Sequence, residues 1–196
     1  SAIGANADSN SLYQQSKFSG EQKALANFKN TVIIRPSVVC GNEDNFTNLF
    51  AKLSLFPVIP VVKPDYKFQP ILVDDVATAI VRAIEIKKNE GKIYEIGGPI
   101  IISFKDMVKS IVSTIGKKNF IIGMPMPLAK IQAALFSLMP KPLLTKDQCE
   151  ILNEADNIVS NKNLTLKDLN VKPTDVQKAM TKWLWRFRSG GEFAKI

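Results

Sequence analysis

Thr31-Val32-Ile33-Ile34-Arg35-Pro36-Ser37-Val38-Val39-Cys40 carries three apolar β-branched residues in succession, Val32 to Ile34. Unbroken runs of this kind belong to strands buried on both faces, as in parallel sheets, whereas half-exposed strands alternate polar and apolar residues. Arg35-Pro36 ends the run, since proline has no N–H to give to a ladder. On the N-terminal side, Leu12 to Phe28 reads as a helix, with Ser11 placed to cap it and Leu25 and Phe28 continuing an apolar stripe. On the C-terminal side, Gly41 to Asn45 reads as a loop and Phe46 to Leu55 as a short helix.

The alternation continues. Pro57, Pro60 and Pro64 punctuate an extended segment, and Lys63-Pro64-Asp65-Tyr66 reads as a turn. Phe68 to Val73 is expected to be one short strand. Asp74 or Asp75 is expected to cap the next helix, whose stripe is Val76, Ala79, Ile80, Ala83 and Ile84, with Gly91 following its end. Ile93 to Ile96 reads as another strand, closed by Gly97-Gly98-Pro99. Ser103 to Asp106 forms a capping box with aspartate in the acid position, flanked by an Ile102/Met107 staple, and its helix runs to Gly116. Phe120 to Ile122 is the last expected strand. Beyond Pro127 only helices are expected: Leu128 to Leu138, one opened by Thr145-Lys146-Asp147-Gln148, and one opened by Thr174-Asp175-Val176-Gln177 that carries Val176, Met180, Trp183 and Phe187 on one face. Strand and helix in turn, then helices alone, predicts an α/β protein with a parallel-type sheet over residues 1–123 and a mostly helical C-terminal lobe over 124–196.

The chain has 196 residues, room for one domain or one domain with a small lobe. It contains no histidine, which excludes histidine triads, histidine zinc sites and a histidine general base. Its two cysteines, Cys40 and Cys149, are far apart and lack metal-ligand spacing, so neither a metal site nor a disulfide framework is expected, and a reducing compartment is. The net charge of +8 suits an anionic cofactor, an anionic lipid surface or an acidic partner, and equally a lysine-rich solvated surface. Its lysines are scattered, which argues against nucleic acid. No apolar run is long enough to cross a bilayer and no signal peptide is visible. The chain begins at Ser1 rather than at a methionine, as expected of a polypeptide processed, excised or numbered from within a longer one.

Tyr13-Gln14-Gln15-Ser16-Lys17 is the stretch with chemical content. Tyr13 and Lys17 are four apart and share a helix face. A phenol titrates near 10, and easing it toward neutrality takes roughly 4 kcal/mol of preferential phenolate stabilisation. A nearby ammonium supplies part of that, an oxidised nicotinamide ring would add more, and the ammonium can also bond ribose hydroxyls. Ser1 is placed upstream where a hydroxyl could hold a substrate carbonyl oxygen. The same spacing fits a surface helix whose tyrosine packs and whose lysine is solvated.

Ordered blocks along the chain resemble the extended and atypical short-chain dehydrogenase/reductases. They are Tyr13 to Lys17 followed by Gly20-Glu21, then Val32 to Gly41, then Gln69-Pro70-Ile71-Leu72-Val73-Asp74-Asp75-Val76-Ala77, then Tyr94-Glu95-Ile96-Gly97-Gly98-Pro99. Ser1 to Ala5, Glu43 to Phe46, Met124 to Ala129 and Leu143 to Gln148 are similar to the branch of NAD(P)H-binding accessory subunits of respiratory complex I and their bacterial relatives. The resemblance implies the C-terminal part of a Rossmann-like doubly wound parallel sheet with interleaved substrate-lobe segments. It implies Tyr13 as the acid/base, Lys17 as the ribose-binding lysine, Ser1 as the carbonyl-binding serine, and Pro36, Ser37 and Val38 along the nicotinamide through backbone groups. NADP or NAD is the implied cofactor. Its Gly-rich phosphate loop belongs to an N-terminal half that is not in this sequence, so binding is expected only with that half present.

Three roles follow from this reading. One is an accessory or assembly subunit of NADH:ubiquinone oxidoreductase that holds the dinucleotide without turnover. It would be partnered by the missing half or by other complex I subunits. It would lie in the cytoplasm, at the cytoplasmic face of the inner membrane, or on the matrix side in a mitochondrion, with the helix from Leu128 suited to peripheral membrane contact. The second is an active NAD(P)-dependent reductase, epimerase or dehydratase on a small carbonyl or sugar-nucleotide substrate. The third is a fragment without cofactor function.

Overall fold

The apolar run at 32–34 does build a strand. In a computed structural model that describes residues 1–136, 142–160 and 162–193, β1 (Ile33–Pro36) pairs in parallel with β6 (Ile93–Ile96), in the register Ile33 to Ile93 and Pro36 to Ile96. Before it comes α1 (Leu12–Asn27), capped by Ser11, whose side chain accepts from Gln14 N. After it come β2 (Val39–Cys40), α2 (Asn45–Leu53), β3 (Val58–Val62), β4 (Lys67–Phe68), β5 (Ile71–Leu72) and α3 (Val73–Glu85). Beyond β6 lie β7 (Ile102–Ser103), α4 (Phe104–Thr114), β8 (Phe120–Met124), α5 (Met126–Leu135), α6 (Lys146–Asn153), α7 (Val176–Ala179) and α8 (Thr181–Leu184), then a 3₁₀ turn at Trp185–Phe187. The architecture is α/β. Its strands form pairs: β1 with β6, β2 with β5 and β3 with β8 in parallel, and β4 with β7 antiparallel.

Several local expectations hold for physical reasons. Lys63 adopts φ of 45° and Tyr66 N donates to Lys63 O at 2.9 Å, closing the expected turn. Ser103 caps α4 by accepting from Asp106 N, and Thr145 with Gln148 forms a complete capping box on α6. Gly116 takes φ of +75°, and the N–H groups of Gly116 and Lys117 reach back to Ser113 and Val112, which terminates α4. Val176, Met180, Trp183 and Phe187 all turn inward.

Others are corrected. The expected strand from Phe68 to Val73 is two, because Gln69-Pro70 intervenes and β4 and β5 pair with different partners. Neither Asp74 nor Asp75 caps α3. The N-cap is Leu72, without a side-chain bond, and Asp75 instead accepts from Thr174 N at 2.6 Å and Thr174 Oγ1 at 3.0 Å. The α3 helix ends at Glu85 with Ile86 as its C-cap, well before Gly91, whose φ of +71° serves the turn into β6. The stripe of α3 is only half covered: Ala79 and Ala83 are buried while Ile80 and Ile84 are exposed. The last helix begins after Asp175 and breaks at Met180. The helix expected at Leu128 to Leu138 starts two residues earlier and ends at Leu135, and 137 and 138 lie outside the described residues. The α1 stripe also differs: the helix buries Gln14 and Glu21, whereas Phe28 is exposed.

The apolar core has two clusters. The larger gathers Phe50, Phe68 and Phe104 with Phe46, in edge-to-face contacts such as Phe50–Phe104 at 5.5 Å and Phe68–Phe104 at 5.2 Å, and continues into α5, α6 and the C-terminal helices. The smaller joins Ile71, Ala79, Tyr94 and Ile96 to Leu166, Leu169 and Val171. Gly98 sits where β6 leaves the core, and a Cβ there would overlap the Pro70 carbonyl oxygen. That close backbone approach sets the turn beside β1.

Candidate functional site

The start of α1 is held from two directions. Ser11 accepts from Gln14 N, and Asp147 at the first turn of α6 accepts from Leu12 N at 2.7 Å and from Ser11 Oγ at 2.9 Å. A carboxylate at a helix N-terminus satisfies otherwise orphaned N–H groups and opposes the positive end of the helix dipole. Asp147 thereby fixes the turn that carries Tyr13.

Tyr13 and Lys17 lie on one face, with Lys17 Nζ 5.3 Å from the centre of the Tyr13 ring. The ammonium sits over the ring face rather than at the hydroxyl. Burial pushes the Tyr13 phenol above its ordinary value, the direction opposite to what proton transfer near neutrality needs. Lys17 also lines an open cleft of about 320 Å³ with Ser1, Gly20, Glu21 and residues 32–34 of β1. Tyr13 is outside that cleft. Ser1 Oγ donates to Glu21 Oε1.

The residues after β1 are each engaged. The Pro36 carbonyl accepts from Ile3 N at 3.0 Å, so the segment at 1–3 lies beside the end of β1. Ser37 is buried; its Oγ lies 2.6 Å from Asn157 Oδ1 and accepts from Gln69 N at 3.2 Å. The Val38 carbonyl accepts from Ile71 N at 2.9 Å, and its side chain faces an apolar cavity rather than the cleft. Thus Ser1 and Lys17 come together, Tyr13 stacks beneath Lys17, and Pro36 ends β1 with Ser37 and Val38 following it.

A charged network absent from the sequence-based expectations joins these parts. Arg35 donates to both oxygens of Glu21 at 2.7 Å each, and its NH1 lies 3.6 Å from Glu95 Oε1. Glu95 also accepts from Ser160 N at 2.9 Å, Ser160 Oγ at 2.7 Å and Asn163 Nδ2 at 2.8 Å. Burial pushes the Glu21 carboxyl up, but the bonds from Arg35 and Ser1 and the charge of Arg35 outweigh it and hold the group below its ordinary range. The bond to Glu21 in turn raises Arg35. Gly20-Glu21 and Arg35 stand beside the motifs in the sequence, but nothing in their spacing reveals that they meet. Among the described residues no three Cys, Asp or Glu side chains gather in a way that could hold a metal ion.

A Tyr–Lys helix packed beside a parallel strand, followed by a close glycine turn and a helical lobe, defines a Rossmann-like fold of the short-chain dehydrogenase/reductase type. The solved structures with this fold include UDP-glucose 4-epimerase from Bifidobacterium longum in complex with NAD+ and UDP, with a TM-score of 0.61, 16% identity, and 96% of this chain and 57% of that one covered. A nucleoside-diphosphate-sugar epimerase from Staphylococcus aureus has a TM-score of 0.65 at 15% identity over 90% of this chain and 61% of that one. Residues 5–188 match the RmlD substrate binding domain, and the chain belongs to that family. Among curated proteins, it is similar to the mitochondrial NADH dehydrogenase [ubiquinone] 1 alpha subcomplex subunit 9 of Dictyostelium discoideum, with 30% identity over 100% of this chain and 56% of that protein. The subunit of the same name from Mus musculus is 31% identical over 96% of this chain and 51% of its own length. The chain spans about half the length of the curated relatives it matches. No helix among the described residues is long and apolar enough to cross a membrane.

Proposed function

We propose that the chain is the C-terminal portion of a short-chain-dehydrogenase-like accessory or assembly subunit of NADH:ubiquinone oxidoreductase, whose bound NAD(P)H stabilises the fold. The observation that carries this reading is the likeness to complex I subunits along essentially the whole chain. The division into a Rossmann-like part over 1–123 and a helical lobe over 124–196 belongs to the same reading.

The sheet supports it. Among the described residues β1 pairs with one strand, β6, while the segment at 1–3 is bonded to Pro36 beside the other edge. A parallel strand leading into Ser1 would run along that edge, over the cleft floored by residues 32–34. The relatives' additional length is where such a strand and a Gly-rich phosphate loop would reside. With that half in place, Lys17 would bond the nicotinamide ribose, Tyr13 would stand beside the ring, Ser1 would face the substrate side, and Pro36, Ser37 and Val38 would border the nicotinamide. NADP or NAD fits this arrangement. The subunit would lie in the cytoplasm or peripherally on the cytoplasmic face of the inner membrane, which is the matrix side in a mitochondrion.

The presence of Tyr13 and Lys17 four residues apart on one face of α1 favours a second reading, an active reductase, epimerase or dehydratase, which would need the ammonium to move from the ring to the hydroxyl. One experiment separates the two. The full-length polypeptide is titrated with NADPH and NADH by nicotinamide fluorescence, then incubated with a panel of carbonyl and sugar-nucleotide substrates. Tight binding without turnover, with co-migration in complex I, supports the accessory subunit. Steady cofactor oxidation abolished by Tyr13→Phe supports the enzyme. Absence of binding by the full-length protein overturns both.

A further inference from the structure

A cavity of about 330 Å³ lies within the larger core cluster, between α2, β3, α5 and α6. Native cores hold few voids larger than one water, and ligand pockets begin at about 300 Å³. Its walls include Val61, Phe68, Leu144 and Leu152, and its polar lining among the described residues is two amides, Gln132 and Gln148. Among the described residues no charged side chain lines it. Water in such a space would find few partners, and a diphosphate would find no cation. On the α5 side Gln132 reaches the cavity, next to Ala133, which is buried in the same core cluster with Ala129.

The outer face of the same helix is apolar as well. Leu128, Ile131 and Leu135 are 58%, 57% and 69% exposed, at helical spacing. Leu143, half exposed, also lines the cavity and so reaches from its interior to the surface. One helix therefore presents an apolar stripe to its surroundings and borders a chamber whose described lining is apolar but for two amides.

We infer that this chamber holds one acyl chain of a membrane lipid, its ester or carboxylate end directed at Gln132 and Gln148, and that the stripe on α5 seats on the bilayer surface from which the chain comes. The inference stands on the cavity and the stripe and is independent of the dinucleotide reading.

The test uses the full chain and straight fatty acids from octanoate to hexadecanoate, below their micelle concentrations, with calorimetry as the readout. One-to-one binding is expected, tightening about fourfold per added methylene and then levelling at a fixed length set by the chamber. Leu152→Phe, which fills the chamber, is expected to weaken dodecanoate at least tenfold and shorten the levelling length while the thermal midpoint holds or rises. Leu144→Phe replaces it if the first variant lowers the midpoint. Absence of saturable binding, affinity that climbs without levelling, or filling variants that bind as the parent does would each overturn the inference. A second arm measures co-sedimentation with phosphatidylcholine vesicles. Binding that is lost when Leu128, Ile131 and Leu135 are all replaced by Gln, with dodecanoate affinity unchanged, identifies the bilayer as the source. Binding of free fatty acid without any vesicle association identifies a soluble acid instead and overturns the bilayer part.

Discussion

Replacing Arg35 by leucine removes the cation that two buried carboxylates share. The Arg35 side chain is 13% exposed, those of Glu21 and Glu95 2% and 8%. Removing one partner of a buried ion pair costs about 3–5 kcal/mol, mostly the penalty for the charge left behind. Here Glu21 keeps the Ser1 hydroxyl, Glu95 keeps Ser160 and Asn163, and water reaches the guanidinium. The expected loss at pH 7 is therefore at the low end, about 3 kcal/mol, or about 6–12 °C in thermal midpoint for a chain of this size. The sign with pH follows from the Glu21 carboxyl, held below its ordinary range. In the parent, its contribution is present above the unfolded-state value and is lost as pH falls through the lower folded value. In Arg35→Leu, the Ser1 bond remains but the larger contribution of Arg35 against burial is gone, and the carboxyl takes up its proton more readily in mild acid. The cost of the substitution should shrink between pH 7 and pH 4, followed by urea unfolding at each pH. Adding Glu21→Gln to Arg35→Leu should recover about 1–3 kcal/mol at pH 7. A cost under about 1 kcal/mol at pH 7, or one that does not change with pH, would refute a buried, paired network.

Three further outcomes are expected. Asp75→Ala should lower stability by about 1–3 kcal/mol in urea, because two hydrogen bonds from the Thr174 N–H and hydroxyl to the buried Asp75 carboxylate are lost, whereas Asp74→Ala should change it little. Gly98→Ala should cost about 4 kcal/mol or prevent folding, since its Cβ overlaps the Pro70 carbonyl; soluble yield and near-ultraviolet dichroism read this out. The Tyr66 phenol, pushed up to about 12 by burial and by Asp156 and Glu154, should ionise last in a spectrophotometric alkaline titration, and Tyr66→Phe should remove that late step.

Much of the fold was legible because its determinants are local. Ser11, Ser103 and the Thr145/Gln148 box mark their helices by side chains that bond within one turn. The β1 strand was legible from the continuous apolar run at 32–34, and β6 as a short β-rich segment closed by Gly97-Gly98-Pro99. What escaped was whatever depends on distant partners. Gln69-Pro70 divides one apolar run because Gln69 N is taken by Asn157 O and Ile71 N by Val38 O, neither of which is adjacent in sequence. Asp75 looked like a cap by type and position, yet Thr174 claims it from 99 residues away. The spacing of Tyr13 and Lys17 placed them on one face, but whether the ammonium sits at the ring or the hydroxyl is set by packing.

The polar burial on α1 gives the site a distinct character. This helix is oriented by directional bonds rather than by an apolar face: Gln14 and Glu21 are its buried residues, while Leu12 and Phe28 are exposed. Asp147 anchors its first turn and Arg35 its third. Apolar contacts tolerate sliding, whereas a bidentate guanidinium–carboxylate pair fixes both distance and angle. Lys17 is one turn from Glu21 and Tyr13 one turn further, so the pose of the Tyr–Lys pair is coupled to the clamp between α1 and β1. Weakening that clamp should disturb the pair even when the fold survives. Glu21→Gln, which keeps the shape and removes the charge, should loosen the position of Tyr13 and increase quenching of its fluorescence by iodide, whereas Phe28→Ser at the exposed end of the helix should leave it unchanged.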